Sequence, residues 1–141
     1  MVIIDTDILE KVLIRSEPEF SEVQQLLESQ AAVITSVQAG EILSMCEEED
    51  IPLIQNFLEL FIWESFDLDI TQKAAKFIQQ YQEFYPKLSL NDCLIGAVAA
   101  KNDYEIYTYK AEHFPMTEVF LYHKTVEKIT AKSKERIDTN Q

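Results

Sequence analysis

The chain has 141 residues, of which 47% are hydrophobic, and it carries a formal net charge of −13. This length fits one domain. No apolar run approaches the about 20 residues that span a bilayer, and no secretory leader is evident. We therefore expect a soluble cytoplasmic protein without a membrane partner. Residues 1–70 hold 16 acidic and two basic residues, a net −14, and this charge alone disfavours binding to a nucleic acid.

Apolar spacing and capping residues predict strands and helices that alternate along the chain. In chain order we first predict a strand over residues 2–5, helices over about 7–14 and 18–29, a strand over 32–35, and helices over about 36–47 and from 52. A short strand over 63–68 follows, and then a helix that Thr71 caps and Pro86 stops, with Tyr85 on its apolar face. The last elements are a helix over 90–101 that Ser89 caps and strands over 105–108 and 119–122. This alternation implies a three-layer α/β/α fold with a central parallel sheet of four to five strands. We expect the domain to occupy residues 1–122 and residues 123–141 to form a polar helix or tail.

Asp5 is the first candidate functional residue, because it ends an apolar strand where a parallel sheet presents its active site. An acid that directly follows Val-Ile-Ile is hard to explain as an ordinary surface residue. Glu41 lies in the helix after the second strand, and Asp92 opens the apolar helix near residue 90. Three acids from three separated segments can therefore meet in one pocket.

A pocket of carboxylates suits a hard divalent cation such as Mg²⁺, which prefers oxygen ligands and supports phosphodiester hydrolysis. Other kinds of site are disfavoured. The two glycines are too few for a glycine-rich phosphate loop, and Cys46 and Cys93 lack metal-site spacing and are expected to be free thiols. The single histidines His113 and His123 signal neither a histidine metal site nor a serine–histidine nucleophile.

Each acid also has a purely structural interpretation. Asp7 precedes Glu10 by three residues, as in a helix capping box, and Asp92 follows Ser89 at the same spacing. Glu41 fits an ordinary exposed helix position. Lysines and aromatic residues do not interleave in a way that predicts a stacking platform for single-stranded nucleic acid.

Four segments together resemble the PIN-domain proteins that serve as toxins in VapBC-type toxin–antitoxin pairs. The segments are VIIDTDIL at residues 2–9, TSVQAGEI at 35–42, LSLNDCLIGA at 88–97, and IYT at 106–108 with HFP at 113–115. Their order and spacing extend over residues 1 to about 122. The resemblance implies a PIN-like fold with an acidic pocket.

The resemblance further implies a Mg²⁺- or Mn²⁺-dependent endoribonuclease that cleaves single-stranded RNA. Asp5, Glu41 and Asp92 correspond to the family's catalytic, metal-binding acids. Asp7 stands where the family usually has a small polar residue, and the resemblance implies that it supports the metal-binding acids without contacting the ion. Toxins of this kind generally form homodimers and are silenced by a small cognate antitoxin whose tail enters the active-site groove.

Lys110 is a departure from the family pattern. Two residues after Thr108 the family commonly has Asn or Asp as a fourth polar ligand, and this chain has lysine. An ammonium there would weaken a second metal by repulsion, contact the scissile phosphate, or lie in solvent. Glu112 or Asp7 are candidates to replace the missing ligand. The alternative to an enzyme is therefore a catalytically weakened PIN domain that binds RNA or another protein.

Two other classes share parts of the pattern. Asp5 and Asp7 resemble the paired aspartates of haloacid-dehalogenase-type phosphatases, but Leu9 replaces their later Thr or Val and only one acid follows at Asp92. A phospho-accepting receiver domain would need an aspartate at the end of a strand near the middle of the chain. Asp67 and Asp69 lie in that region, but the sequence around them does not clearly predict such a strand end.

Overall fold

In the computed structural model residues 1–122 are described, and the predicted polar helix or tail over 123–141 lies outside them. One sheet contains β1 (Val2–Ile4), β2 (Ala32–Thr35), β3 (Ile62–Glu64), β4 (Glu105–Tyr107) and β5 (Phe120–Leu121). All neighbouring strands are parallel, in the order β3-β2-β1-β4-β5. The predicted parallel sheet is thus confirmed, with five strands.

Six α-helices cover the sheet: α1 (Thr6–Leu13), α2 (Glu19–Glu28), α3 (Ser36–Met45), α4 (Ile51–Leu58), α5 (Leu68–Tyr81) and α6 (Leu90–Asn102). Single turns of 3₁₀ helix lie at Glu48–Asp50 and Ala111–His113. None of the helices in this described part is long and apolar enough to cross a membrane.

The sequence Val2-Ile3-Ile4 is apolar on every residue because β1 is buried on both faces. Successive side chains of a strand point to opposite faces. Val2 and Ile4 pack with the apolar sides of α1 to α4, and Ile3 packs with α5 and α6. This arrangement confirms the three layers. Cys46 and Cys93 are both free, and Cys93 is buried in the second of these cores.

Two predicted helix boundaries are wrong. Asp67, not Thr71, caps α5, since its carboxylate accepts a hydrogen bond from Ile70 N–H at 2.8 Å. Aspartate is as good an N-cap as threonine, so the helix begins one turn earlier than predicted. The helix also ends at Tyr81 rather than near Pro86, which leaves Tyr85 41% exposed instead of on an apolar face.

The strand order creates a crevice between the carboxyl ends of β1 and β4. The chain leaves β1 toward β2 on one side and leaves β4 toward β5 on the other. In an open parallel sheet, ligands bind where the connections diverge in this way. Asp5 directly follows β1 and Thr108 directly follows β4, so the sequence places a carboxylate and a hydroxyl at this point.

Candidate active site

Asp5 is fixed at the crevice by its backbone and its side chain. Its N–H donates to Tyr107 O at 3.0 Å. Its carboxylate caps α1 by accepting from Thr6 N–H at 2.9 Å, and the Thr108 hydroxyl donates to its other oxygen at 2.8 Å. The Asp5–Thr108 hydrogen bond therefore joins the carboxyl ends of the two central strands through a residue that is only 9% exposed.

Burial makes the Asp5 carboxyl harder to ionise than an ordinary aspartate. Loss of solvent raises its pKa most, and the hydrogen bonds from Thr108 and Thr6 lower the pKa by less. The negative charge of Asp92 raises the pKa of Asp5 further, whereas the cation of Lys110 lowers it. Asp5 thus lies in a partly desolvated site that other charged groups reach.

Asp7 ties the start of α1 to the loop after β4. Its carboxylate oxygens accept from Tyr109 N–H at 2.9 Å and from Ile8 N–H at 3.0 Å. The alternative of a capping box between Asp7 and Glu10 is wrong, because Asp5 occupies the N-cap position of α1. Burial raises the pKa of Asp7 to about 6, and the neighbouring charge of Asp5 adds to the shift.

The stability of Asp7→Asn relative to wild type, both metal-free, is expected to be higher at pH 7.5 than at pH 4.5, although asparagine can accept only one of the two N–H hydrogen bonds at either pH. The folded pKa of about 6 exceeds the ordinary value of 3.8, so wild type loses stability as pH rises through this interval. The full shift corresponds to about 3 kcal/mol, and because Asp7 is partly exposed we expect about 1–2 kcal/mol, or several degrees in Tm. Asparagine cannot ionise and removes this loss.

The measurement is the Tm of Asp7→Asn minus that of wild type, in EDTA, at the two pH values. Asp50→Asn is the matched control, because Asp50 is exposed and makes no side-chain capping bond. A difference for Asp7→Asn that does not change with pH would contradict the raised pKa.

Glu41 reaches the same region from the exposed side of α3. Thr35 and Gln38 form a capping box that fixes the start of α3 directly after β2. Partial burial raises the pKa of Glu41, and the charges of Asp5 and Asp92 raise it further. The structure therefore brings Glu41 within electrostatic range of both other acids.

The Thr6 hydroxyl lies next to Glu41 and lowers the pKa of that carboxyl. It is buried, and it makes no hydrogen bond of good geometry within the described residues. The Thr6 hydroxyl therefore faces Glu41 and helps to orient this carboxylate toward the crevice.

Asp92 helps to cap α6 as the sequence suggested, and its charge reaches Asp5 and Glu41. Ser89 and Asp92 form the predicted capping box of α6, with Ser89 Oγ donating to Asp92 Oδ2 at 2.9 Å. His113 Nδ1 lies 3.0 Å from the same oxygen. A carboxylate only accepts hydrogen bonds, so the ring nitrogen donates. Within residues 1–122, the hydrogen bonds to the Asp92 carboxylate all reach Oδ2.

His113 was missed as a site residue. The sequence shows a single histidine 21 residues after Asp92, and no local spacing links the two. Their contact depends on the 3₁₀ turn Ala111–His113 folding back over the start of α6, which only the fold reveals. The available signal for His113 was that it belongs to the His-Phe-Pro segment, which is one of the segments that carry the family resemblance.

His113→Ala is expected to weaken Mn²⁺ binding about tenfold, because it frees the Asp92 carboxylate to rotate. His113→Asn retains an N–H donor near the position of Nδ1 and should restore most of the affinity. Titration of Mn²⁺ followed by electron paramagnetic resonance measures both variants without reference to activity. Equal affinity in His113→Ala and wild type would show that His113 does not position Asp92.

Lys110 and Glu112 differ in how they relate to the acids. The Lys110 side chain is exposed and forms no ion pair with the described residues, yet its charge lowers the pKa of Asp5, Asp7 and Glu41. Glu112 is exposed and lies 4.0 Å from His113 Nε2. The structure thus brings Lys110 to the acid cluster and directs Glu112 toward His113.

The donor set fits a hard divalent cation in its chemistry. In residues 1–122 no three carboxylate, histidine or cysteine groups stand close enough to enclose an ion. Mg²⁺ does not require such a cage, because it is typically held by one or two carboxylates together with waters and substrate phosphate. Asp5 and Asp92 each raise the pKa of another carboxyl at the crevice, so these acids provide oxygen donors and a negative charge that a cation would neutralise.

The fold and the crevice define an α/β domain of the nuclease-like PIN type. A family model described as "PIN domain" matches residues 2–111, and the chain belongs to this family. A comparison with curated protein sequences found no match.

Solved structures with a similar fold come from bacterial complexes. A chain of VapBC2 from Rickettsia felis, bound to a DNA fragment from their promoter, has a TM-score of 0.72 and 15% identity over 86% of this chain and 98% of that chain. A toxin–antitoxin complex from Klebsiella pneumoniae has a TM-score of 0.65 and 23% identity, over 84% of this chain and 95% of that chain. FitAcB from Neisseria gonorrhoeae has a TM-score of 0.65 and 19% identity, over 86% of this chain and 96% of that chain. At these identities the similarity concerns the fold.

Proposed function

We propose that the protein is a metal-dependent endoribonuclease that hydrolyses phosphodiester bonds in single-stranded RNA. One observation carries this proposal. A buried carboxylate, Asp5, is fixed by Thr108 at the switch point of the sheet, and the charges of Glu41 and Asp92 reach it from two other segments. This is the place and the chemistry that a divalent-cation nuclease needs.

Asp5, Glu41 and Asp92 would hold Mg²⁺ or Mn²⁺. When bound, the ion supplies a Lewis acid that makes a bound water more acidic and offsets the charge of the phosphate. Thr108 and the Thr6 N–H orient the Asp5 carboxylate, while Ser89 and His113 hold Asp92 Oδ2 and leave Oδ1 toward other partners. These hydrogen bonds keep the acids in position before substrate arrives.

Asp7 and Lys110 act around those acids. Asp7 holds the loop after β4 against α1 through Tyr109 N–H, and so fixes the segment that carries Thr108. The Lys110 ammonium has no ion-pair partner within residues 1–122 and lies near the carboxylates, and we assign it to a non-bridging oxygen of the scissile phosphate. Glu112 is assigned no role in holding the ion.

We further propose that the protein is the toxin of a toxin–antitoxin pair, with a cognate antitoxin as partner. The structural neighbours include a toxin–antitoxin complex from Klebsiella pneumoniae, and this supports the proposed role. A domain over residues 1–122, a homodimeric state and a cytoplasmic location complete the proposal.

An exposed apolar groove supports a protein partner. It lies between α1, α2 and α4, has a volume of about 400 Å³, and is lined mainly by Leu13, Phe20, Leu53, Phe57 and Leu60. Leu53 is 70% and Leu60 64% exposed. Contiguous exposed apolar side chains of this kind mark protein interaction sites.

The alternative function is a PIN domain that binds RNA or protein without cleaving it. Lys110 favours this alternative, because a cation at the position of a fourth acidic or amide ligand opposes a second metal ion. The three acids are all present at the crevice, which favours the enzyme.

The test is cleavage of a mixed pool of single-stranded and transfer RNAs by the purified full-length protein, free of antitoxin, in Mg²⁺ or Mn²⁺. We expect cleavage that EDTA abolishes and that Asp5→Asn and Asp92→Asn both lack. Cleavage that survives in both variants would indicate a contaminating ribonuclease. Failure to cleave any RNA, with no metal-dependent rise in Tm, would favour the binding domain.

A further inference from the structure

The turn between α5 and α6 exposes two aromatic side chains. Phe84 is 74% and Tyr85 41% exposed. The N–H groups of both residues donate to Tyr81 O, at 3.1 and 3.0 Å, and Leu88 N–H donates to Tyr85 O at 3.0 Å. Leu88 is itself 2% exposed and anchors the turn in the core. Residues 84–87, hereafter the aromatic turn, thus have a fixed backbone and solvent-exposed rings.

The aromatic turn and Glu112 together line a small, open and mainly apolar cavity at the surface. Its volume is about 350 Å³, and its lining consists of Phe84, Tyr85, Pro86, Lys87 and Glu112. Apolar walls with a few convergent polar groups are typical of ligand sites, which span roughly 300–1,000 Å³. The size suits a single planar ring system rather than a large ligand.

The cavity adjoins the Asp92 side of the candidate active site. Glu112 precedes His113, whose ring nitrogen lies 3.0 Å from Asp92 Oδ2. Lys87 stands two residues before Ser89, which hydrogen-bonds to the same oxygen. Two separate segments therefore connect the cavity directly to one of the proposed metal-binding acids.

We propose that the aromatic turn and Glu112 form a subsite for one unpaired nucleobase of a single-stranded RNA, next to the scissile phosphate. The base lies against the Phe84 and Tyr85 rings, Glu112 accepts a hydrogen bond from an exocyclic amino group, and Lys87 contacts the adjoining phosphate. This inference rests on the proposed nuclease function and adds the part of the substrate that the acids do not bind.

The chemistry of the lining selects a base over other occupants. Exposed aromatic rings bind bases of single strands by stacking, and each stacked base contributes about 1–3 kcal/mol. A carboxylate repels phosphate but accepts from amino groups such as N4 of cytosine. Among the described residues the Lys87 ammonium has no ion-pair partner, so it is available to phosphate. A stable dimer interface needs about 800 Å² per partner, more than four turn residues supply.

The test measures binding of a fluorescein-labelled six-nucleotide single-stranded RNA to the full-length protein by anisotropy, in EDTA so that no cleavage occurs. We expect Phe84→Ala and Tyr85→Ala each to weaken binding at least fivefold. Phe120→Ala is the matched control, since Phe120 is 66% exposed and pairs with Glu105 at the opposite end of β4. It should leave the affinity unchanged. The Tm of each variant checks folding.

A second variant addresses the phosphate contact. Lys87→Gln is expected to reduce the magnitude of the slope of log affinity against log salt by about 0.7, while Phe84→Ala leaves the slope unchanged. A lysine that merely lies in solvent would not change the slope.

The outcomes separate this subsite from the proposed function. If wild type cleaves RNA and both aromatic variants bind as wild type does, the subsite is wrong and the nuclease stands. If wild type neither binds nor cleaves RNA, the proposed function and the subsite both fail. If the aromatic variants shift a dimer to a monomer in analytical ultracentrifugation without a direct effect on RNA affinity per monomer, the turn is an interface between two copies and the subsite is overturned.

Discussion

Asp5→Asn is expected to reduce metal-dependent RNA cleavage roughly 100-fold or more without destabilising the metal-free protein. Asparagine has the same shape as aspartate and retains an acceptor for Thr6 N–H. Its amide can donate to the Thr108 hydroxyl, which rotates to accept, so the link between β1 and β4 persists. The variant loses the buried negative charge, which is the property that cation binding requires.

The stability of this variant is as informative as its activity. Because burial raises the pKa of Asp5, ionising this carboxyl costs more in the folded protein than in the unfolded chain. Replacing it with a neutral group should therefore leave Tm in EDTA unchanged or higher. Wild type should gain Tm on addition of Mn²⁺ by mass action, and Asp5→Asn should not.

Asp50→Asn is the matched control for both measurements, because it removes one exposed acid from the same chain at a distance from the crevice. It should retain wild-type cleavage and the response of Tm to Mn²⁺. Full activity in Asp5→Asn would contradict the assignment of Asp5 as a metal-binding acid. A large fall in Tm would instead show that the charge of Asp5 supports the fold.

The features that the sequence could predict are those that local chemistry determines. An all-apolar strand followed by an acid identified β1 and Asp5, and serine three residues before Asp92 identified the start of α6. In both cases the residues that determine the structure are adjacent or one helical turn apart. The alternation of such elements was enough to predict a parallel sheet covered on both faces.

The features that were missed depend on contacts between distant segments. The His113–Asp92 contact joins residues that are 21 positions apart, and no local sequence pattern predicts that the two side chains meet. The aromatic turn was missed for a related reason. The predicted helix ran on toward Pro86, so Tyr85 was assigned to its apolar face, and no run of interleaved lysines and aromatics marked a surface for RNA. Both features follow from where α5 ends and where the 3₁₀ turn folds back.

Lys110→Asp is expected to tighten Mn²⁺ binding roughly 30-fold at low ionic strength, and less as added salt screens the charges. Unit charges about 8 Å apart interact by about 0.5 kcal/mol in water and by about 2 kcal/mol at an effective dielectric constant of about 20. The substitution changes the charge at residue 110 from +1 to −1, and the ion carries a charge of +2. The value of about 0.5 kcal/mol in water is therefore multiplied by about four, to about 2 kcal/mol, which corresponds to roughly 30-fold in affinity. The Lys110 ammonium acts on Asp5, Asp7 and Glu41, and no described residue pairs with it to neutralise its charge.

The comparison of affinity with cleavage then identifies what Lys110 does. Lys76→Asp is the matched control, since Lys76 is an exposed lysine of α5, and it should change Mn²⁺ affinity little. If Lys110 binds the scissile phosphate, Lys110→Asp will bind Mn²⁺ more tightly and cleave RNA more slowly at saturating metal. If Lys110 only opposes a further ion, the same variant will bind more tightly and cleave faster. Unchanged Mn²⁺ affinity would contradict both roles, because a cation that lowers the pKa of three carboxylates must also oppose a metal ion bound among them.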